Sequence, residues 1–283
     1  MMASTEPLDL PPTDELIIEA GGTERNYWRD LWRYRELLGL LAWRDVKVRY
    51  QQTILGVAWA VVQPLASVAI FTFVFGGLAK MPSGAEPYFI VVMAGQLAWQ
   101  LFANTFGNTS GSLVGSGHLI SKVYFPRLLV PLSTVLVALI DFLVIFALYG
   151  IATAWTGTLP GLRALWLPAF ILLTVILALG AGLWMAALTV RFRDFKIVVP
   201  FLLQIGVFAT PVGYRTDFLP NWQDLLALNP MTGVIDAFRW SLLGGEATFH
   251  WYSFNCTLCW AAALALTGVW YFRRMERSFA DVI

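Results

Sequence analysis

The sequence predicts an all-α integral membrane protein. Six transmembrane helices are expected, preceded by an N-terminal amphipathic interface helix and carrying a re-entrant helix pair on the outer side between spans five and six. Three observations lead there. Of the 283 residues, 58% are of hydrophobic type and only 13% are charged, about half the charge of an ordinary soluble domain. Nearly charge-free apolar runs occur at about 54–79, 88–113, 128–154, 165–190, 197–214 and 250–272. Most reach the ~20 residues a helix needs to cross the hydrocarbon core. Finally, of the 19 Lys and Arg residues, only Lys80, Arg163, Arg215 and Arg239 fall on the side opposite the N-terminus. The positive-inside rule then places both termini in the cytoplasm, as an even number of spans also requires.

Along the chain, residues 1–25 read as a flexible cytoplasmic tail, acidic and containing Pro, without the basic start and apolar core of a cleaved signal. Residues 26–50 read as the interface helix, because Tyr27, Leu31, Tyr34, Leu38 and Leu41 fall on one helical stripe while Arg29, Arg33 and Glu36 fall elsewhere. The stripe serves either as a membrane anchor or as a lever that also touches a partner. Residues 51–283 form the six-helix domain. Its first span opens on a basic collar, Arg44, Lys47 and Arg49, and holds Pro64, which predicts a kink. Two readings fit the collar: an ordinary cytoplasmic anchor among anionic headgroups, or a site that meets a phosphate-bearing substrate at the inner leaflet.

Gly107, Gly111 and Gly115, spaced four apart, predict close helix packing. Asp141 is the single acid well inside a span, and such acids are costly. Without other titratable groups in the spans, a helix–helix hydrogen bond or a gating role fits it better than a proton relay. Cys256 and Cys259 have no further Cys or His to complete a metal site. Residues 216–245 are too polar to span and carry Pro220 and Pro230. They read as the re-entrant pair, a conformation tolerated at membrane depth only when packed in protein or lining a cavity. The chain has no GxxxxGK[ST] loop, no GxSxG and only two His residues, so an enzyme is disfavoured against a channel, a transporter or a scaffold.

Several separated stretches then carry a resemblance: "RDVKVRYQQTILGVAWAVVQPL", "AGQLAWQLFAN", "LVGSGHLISKVYFPRLLVPLS", "LTVRFRDFKIVVPFLLQIGVFATPVGY", "LNPMTGVIDAFRW" and "YFRRMERSFADVI". In their order and spacing they resemble the permease subunit of the ABC exporters for bacterial cell-surface polysaccharides (O-antigen, capsule, teichoic acid), with the O-antigen branch nearest. The resemblance runs from about Trp28 to the end.

It implies a homodimer in the bacterial inner membrane, paired with two copies of a separate cytoplasmic ABC ATPase that holds ATP and Mg. This chain would then need no cofactor, and its partners would be that ATPase, membrane lipids and a lipid-linked polysaccharide, with no nucleic acid. The loop containing His118, Leu119, Lys122, Tyr124 and Phe125 would couple to the ATPase, with Tyr124 and Phe125 as apolar knobs and with Arg191, Arg193 and Asp194 close by. Asn229, Pro230, Asp236 and Arg239 would belong to an outer gate, with Asp236 and Arg239 paired and Arg239 reachable from outside. Arg44, Lys47 and Arg49 would meet the pyrophosphate of a polyprenyl carrier. Trp59, Phe71, Phe75, Tyr88, Trp99 and Phe102 are candidates to line a glycan tunnel, and equally suit lipid-facing anchors. The alternatives are an ABC exporter of another lipid or drug, and a membrane-embedded glycan-transferring enzyme.

Overall fold

The computed structural model describes residues 27–51, 54–84, 86–120, 122, 125–218, 222–243, 247–276 and 279. The acidic tail and Tyr124 lie outside the described residues. Among those described, every regular element is helical. Five helices are long and apolar enough to cross a membrane: Ala58–Leu78, Tyr88–Gly115, Leu129–Thr156, Leu162–Arg191 and Trp251–Glu276.

The interface helix is two segments, α1 (Tyr27–Arg33) and α2 (Arg35–Gln51), interrupted at Tyr34. Its apolar stripe faces the protein. Tyr27 and Leu41 are buried, and Leu31, Tyr34 and Leu38 are partly buried, against a second core built on Phe125, Leu183 and Phe272. The opposite face exposes Trp28, Trp32 and Trp43, residues suited to a membrane–water boundary. α3 (Ile54–Phe71) runs through the buried Pro64 and continues into a π-helical turn, Thr72–Leu78. The helix stays α through Pro64, and the change to π pitch begins eight residues later.

α4 (Tyr88–Gly115) is the hub, with α6 (Leu129–Thr156) and α7 (Leu167–Arg191) packed on it. The short α5 (Gly117–Ile120) lies between α4 and α6 in the chain. A left-handed Gly157, φ 75°, closes α6. α11 (Trp251–Glu276) packs on α7, where Gly180 and Gly268 bring the two backbones into contact: a Cβ on Gly268 would lie 2.4 Å from the Gly180 carbonyl oxygen. The close crossing that the four-residue glycine spacing predicted for α4 thus occurs elsewhere. Gly111 and Gly115 have open space where a side chain would stand.

The fifth apolar run gives α8 (Phe195–Ala209), only 15 residues long. At 1.5 Å per residue it spans about 22 Å, less than the ~30 Å hydrocarbon core. Thr210 turns extended ahead of Pro211, which ends the helix before residue 214. Beyond it come α9 (Gln223–Ala227) and α10 (Pro230–Leu242), and α10 is buried against α4 and α11.

Candidate functional site

Two ends of the bundle hold polar side chains in quantity. At one end, α2, α4 and α6 enclose a slot of about 290 Å³ whose wall includes Arg44, Arg49, Asn108, Ser112, Ser116 and Thr134. Gly111 and Gly115 also line it, and their missing side chains are what leaves it open. Arg44 meets its neighbour Asp45 at 2.7 Å, and Arg49 meets Asp141 at 2.8 Å. Tyr50 donates to Asp141 Oδ1 at 2.6 Å and Asn104 Nδ2 donates to Oδ2 at 3.4 Å. Burial first, and then the bond to Asp141, push the Tyr50 phenol up to about 12, so it stays a donor at working pH. Lys47 is exposed and does not line the slot.

The depth of this cluster departs from the expected collar. Asp141 stands twelve residues into α6 from Leu129, and Asn104 eleven residues from the end of α4 at Gly115. Both distances come to about 16–18 Å of helix. Arg49 therefore reaches up beside the spans, while Arg44, one and a half turns earlier, stands nearer the mouth of the slot. The sequence singled out Asp141 and Arg49 separately. Their pairing joins residues 92 positions apart and leaves no periodic trace.

The remaining candidates for ATPase coupling divide by burial. His118, Lys122, Arg191, Arg193 and Asp194 are exposed and Leu119 is half-buried. Phe125 is not exposed: it is 4% accessible and packs in the core beneath the interface helix. The expectation that it projects as a knob is corrected, because this chain's own interface helix and α11 already cover it. Behind it a clasp closes on Glu276. The side chain of Glu276 accepts from the Arg127 backbone N–H at 3.0 Å and from the Tyr27 hydroxyl at 3.3 Å, and its carbonyl accepts from the Arg127 guanidinium. Arg273 lies 4.0 Å over the Tyr27 ring. Burial, and then the adjacent Glu276, push the Tyr27 phenol far above its ordinary range.

At the opposite end, Arg239 is 3% exposed. It donates to the carbonyls of Tyr214 at 2.6 Å, Val212 at 2.7 Å and Val91 at 3.4 Å, and so ties the turn after α8 to α4. Gly95 leaves the room: a Cβ there would lie 2.8 Å from the guanidinium. The expected partnership with Asp236 is replaced. Asp236 accepts from Thr216 at 3.1 Å and faces His250 Nδ1 at 3.5 Å, an ion-pair distance without hydrogen-bond alignment. His250 Nε2 meets Asp217 at 3.1 Å, and Arg215 meets the same carboxylate at 2.6 Å. The bond to Asp217, and then the nearby Asp236 carboxylate, push His250 up to about 10. Burial opposes ionisation of Asp217, but His250, Thr248 and Arg215 together outweigh it and hold the carboxyl below the usual range. Sequence reasoning missed Asp217, His250 and Arg215 as a cluster; only the lone His near an apolar run pointed toward it.

Asn229 caps α10 by accepting from the Met231 N–H at 3.0 Å, and its amide donates to Thr210 at 3.0 Å. Asn229 and Pro230 also border an apolar cavity of about 410 Å³ shared with Trp99, Phe102, Trp184 and Leu203. The tunnel candidates thus separate. Trp99 and Phe102 reach that cavity. Phe71, Phe75 and Tyr88 gather at the Gly213 turn, where a Cβ would meet Phe75 at 2.6 Å and where Tyr88 donates to the Gly213 carbonyl at 2.6 Å. Trp59 is 62% exposed.

Comparison with known proteins follows the same outline. The chain is 26% identical over 254 residues to the O-antigen export system permease protein RfbA of Klebsiella pneumoniae, covering 88% of this chain and 95% of that one. It is 28% identical over 214 residues to the protein of the same name from Myxococcus xanthus, covering 75% and 82%. To the polysialic acid transport protein KpsM of Escherichia coli it is 25% identical over 211 residues, covering 71% and 79%. Residues 36–243 match the model for the ABC-2 type transporter. That match takes in α2 through α10, the slot and the Arg239 tie alike, and the chain belongs to the ABC-2 type transporter family.

Proposed function

We propose that the chain is the transmembrane subunit of an ATP-driven exporter that moves a polyprenyl-pyrophosphate-linked polysaccharide of the O-antigen kind across the bacterial inner membrane. It works as a homodimer with two copies of a cytoplasmic ABC ATPase, which carries the ATP and Mg. α8 serves as a short fifth span between five longer ones, both termini face the cytoplasm, and α9 and α10 re-enter from the outer side. The observation that carries the reading is the slot: two arginines stand at different depths along a polar, glycine-floored groove reaching about 10–12 Å up the spans, as far as Asn108 and Val137. A pyrophosphate offers clustered oxygens to such forks. Each arginine already has a carboxylate, so the head is held weakly at more than one point, as passage requires.

His118, Leu119, Lys122 and the Arg191–Asp194 turn receive the ATPase, and its closure rotates the spans. Trp99 and Phe102 offer ring faces on which pyranose sugars can stack. The relatives named for O-antigen and polysialic acid transport support this cargo class over another lipid or a drug. The test is to purify the chain with its ATPase in nanodiscs and measure ATP hydrolysis against a panel of lipid-linked glycans, other lipids and drugs. Stimulation by lipid-linked polysaccharide is expected. Stimulation only by other lipids or drugs would replace the cargo, and glycan transfer without ATP would replace the exporter with an enzyme.

A further inference from the structure

Asp141 is more generously supplied with donors than an ion pair requires. Arg49, Tyr50 and Asn104 all reach its two oxygens, from α2 and from α4. The two charged partners are unequally buried: the Arg49 side chain is 44% exposed and the Asp141 side chain 7%. Arg49 also lines the slot, whereas Asp141 does not. If Arg49 swings into the slot, Asp141 keeps the Tyr50 hydroxyl at 2.6 Å and the Asn104 amide. A buried carboxylate abandoned by its only partner would be strongly unfavourable, and here two fallback donors lower that cost. Arg44 is arranged differently. Its carboxylate is the adjacent Asp45, itself partly exposed at the mouth, so the lower station is solvated while the upper one has a built-in buried competitor.

From this geometry we propose that Asp141 is an internal counter-ion that exchanges with the substrate's pyrophosphate for Arg49, so that the upper end of the slot releases the head group instead of trapping it. The inference rests on the reading of the slot as the carrier-head path. In the resting chain Arg49 is closed on Asp141. An arriving pyrophosphate takes the Arg49 fork, and Asp141 falls back on Tyr50 and Asn104. Return of Arg49 to Asp141 then displaces the head. The carboxylate thereby sets an upper bound on how tightly the slot holds its cargo.

The experiment titrates a fluorescent short-chain isoprenyl pyrophosphate into the purified permease–ATPase complex in nanodiscs. Asp141→Asn keeps the size and one acceptor oxygen and removes the competing charge. It should bind the probe about fivefold tighter, the scale of one half-exposed ion pair, and lower the maximal probe-stimulated ATP hydrolysis because release slows. The gain should vanish in Asp141→Asn combined with Arg49→Gln. Inorganic pyrophosphate, run in parallel, should show the same ratio between variants at lower affinity. A ratio confined to the lipid probe would assign the effect to the tail and overturn the exchange.

Should Asp141→Asn fail to assemble, Tyr50→Phe decides. It removes a fallback donor and should weaken binding, so unchanged or tighter binding would overturn the proposal. If the wild type binds the probe through Arg44 and Arg49 but Asp141→Asn binds no tighter, the counter-ion role falls and the slot reading stands. If the wild type binds neither probe, the slot reading falls and the exchange with it.

Discussion

Replacing Arg239 by Met should loosen the end of the bundle around α10 more than any surface change could. The two short bonds, to Tyr214 and Val212 at 2.6 and 2.7 Å, are charge-assisted, and such bonds contribute about 1.5–3 kcal/mol each. The third, at 3.4 Å to Val91, adds little. The sum, about 3–6 kcal/mol, is reduced because a chain unfolded within the membrane finds other partners for its carbonyls and because Met relieves the burial of a charge. About 3 kcal/mol remains, a substantial part of the ~5–15 kcal/mol that holds a typical domain together. Thermal unfolding in detergent, followed by tryptophan fluorescence, reads the loss. Arg239→Lys should fall between wild type and Met, since an ammonium keeps the charge but not the fork that spans two carbonyls. A Met variant that unfolds with the wild type would refute the claim that these carbonyls depend on Arg239. A Lys variant equal to wild type would show that charge alone suffices.

The Asp217–His250 cluster makes stability pH-dependent on both sides. His250, raised from 6.5 to about 10, contributes fully below pH 6.5, and that contribution is lost as pH climbs through about 10. Asp217, held below 3.8, contributes fully above 3.8 and loses its share as pH falls below it. Melting temperature measured from pH 4 to 10 should therefore decline on the alkaline side, and His250→Gln should flatten that decline. Gly268→Val should cost more than the ~1–3 kcal/mol typical of overpacking, since its Cβ meets backbone, and yield in size-exclusion chromatography should drop. Gly111→Val should fold normally yet narrow the slot and weaken pyrophosphate binding in the same titration. Phe125→Ala should lower stability by about 3–5 kcal/mol, whereas the exposed Lys122→Ala should leave melting unchanged and reduce ATP-driven transport; equal melting of the two variants would return Phe125 to the surface.

Hydropathy and helical period made the helical class and the long apolar segments legible, because both are local properties of a run of residues. The stripe from Tyr27 to Leu41 was legible as a stripe, but not which side the protein would cover. Periodicity names a face and is silent about its neighbour. Pro211 was legible as a stop only after the turn behind it was known to be anchored by Arg239. Charge misled most. Arg239 looked like an outer-gate cation paired with Asp236 and reachable from outside, but it is buried, and its burial depends on carbonyls from two other segments. Spacing misled for the glycines as well: Gly107, Gly111 and Gly115 form the regular series, but the backbones touch at Gly180 and Gly268, 88 residues apart, where no regular series marks the crossing.

The Glu276 clasp has a mechanical meaning. One carboxylate and its own carbonyl fasten the start of the interface helix, the residue that leads into α6, and the end of the last helix. These are three ends of the chain's path on one side of the molecule. A thrust on the segment ahead of Arg127 cannot bend that segment alone. It must travel along α6 and, through the knot, pull on the first and last helices together, so the bundle answers as a yoke answers, with every shaft turning at once.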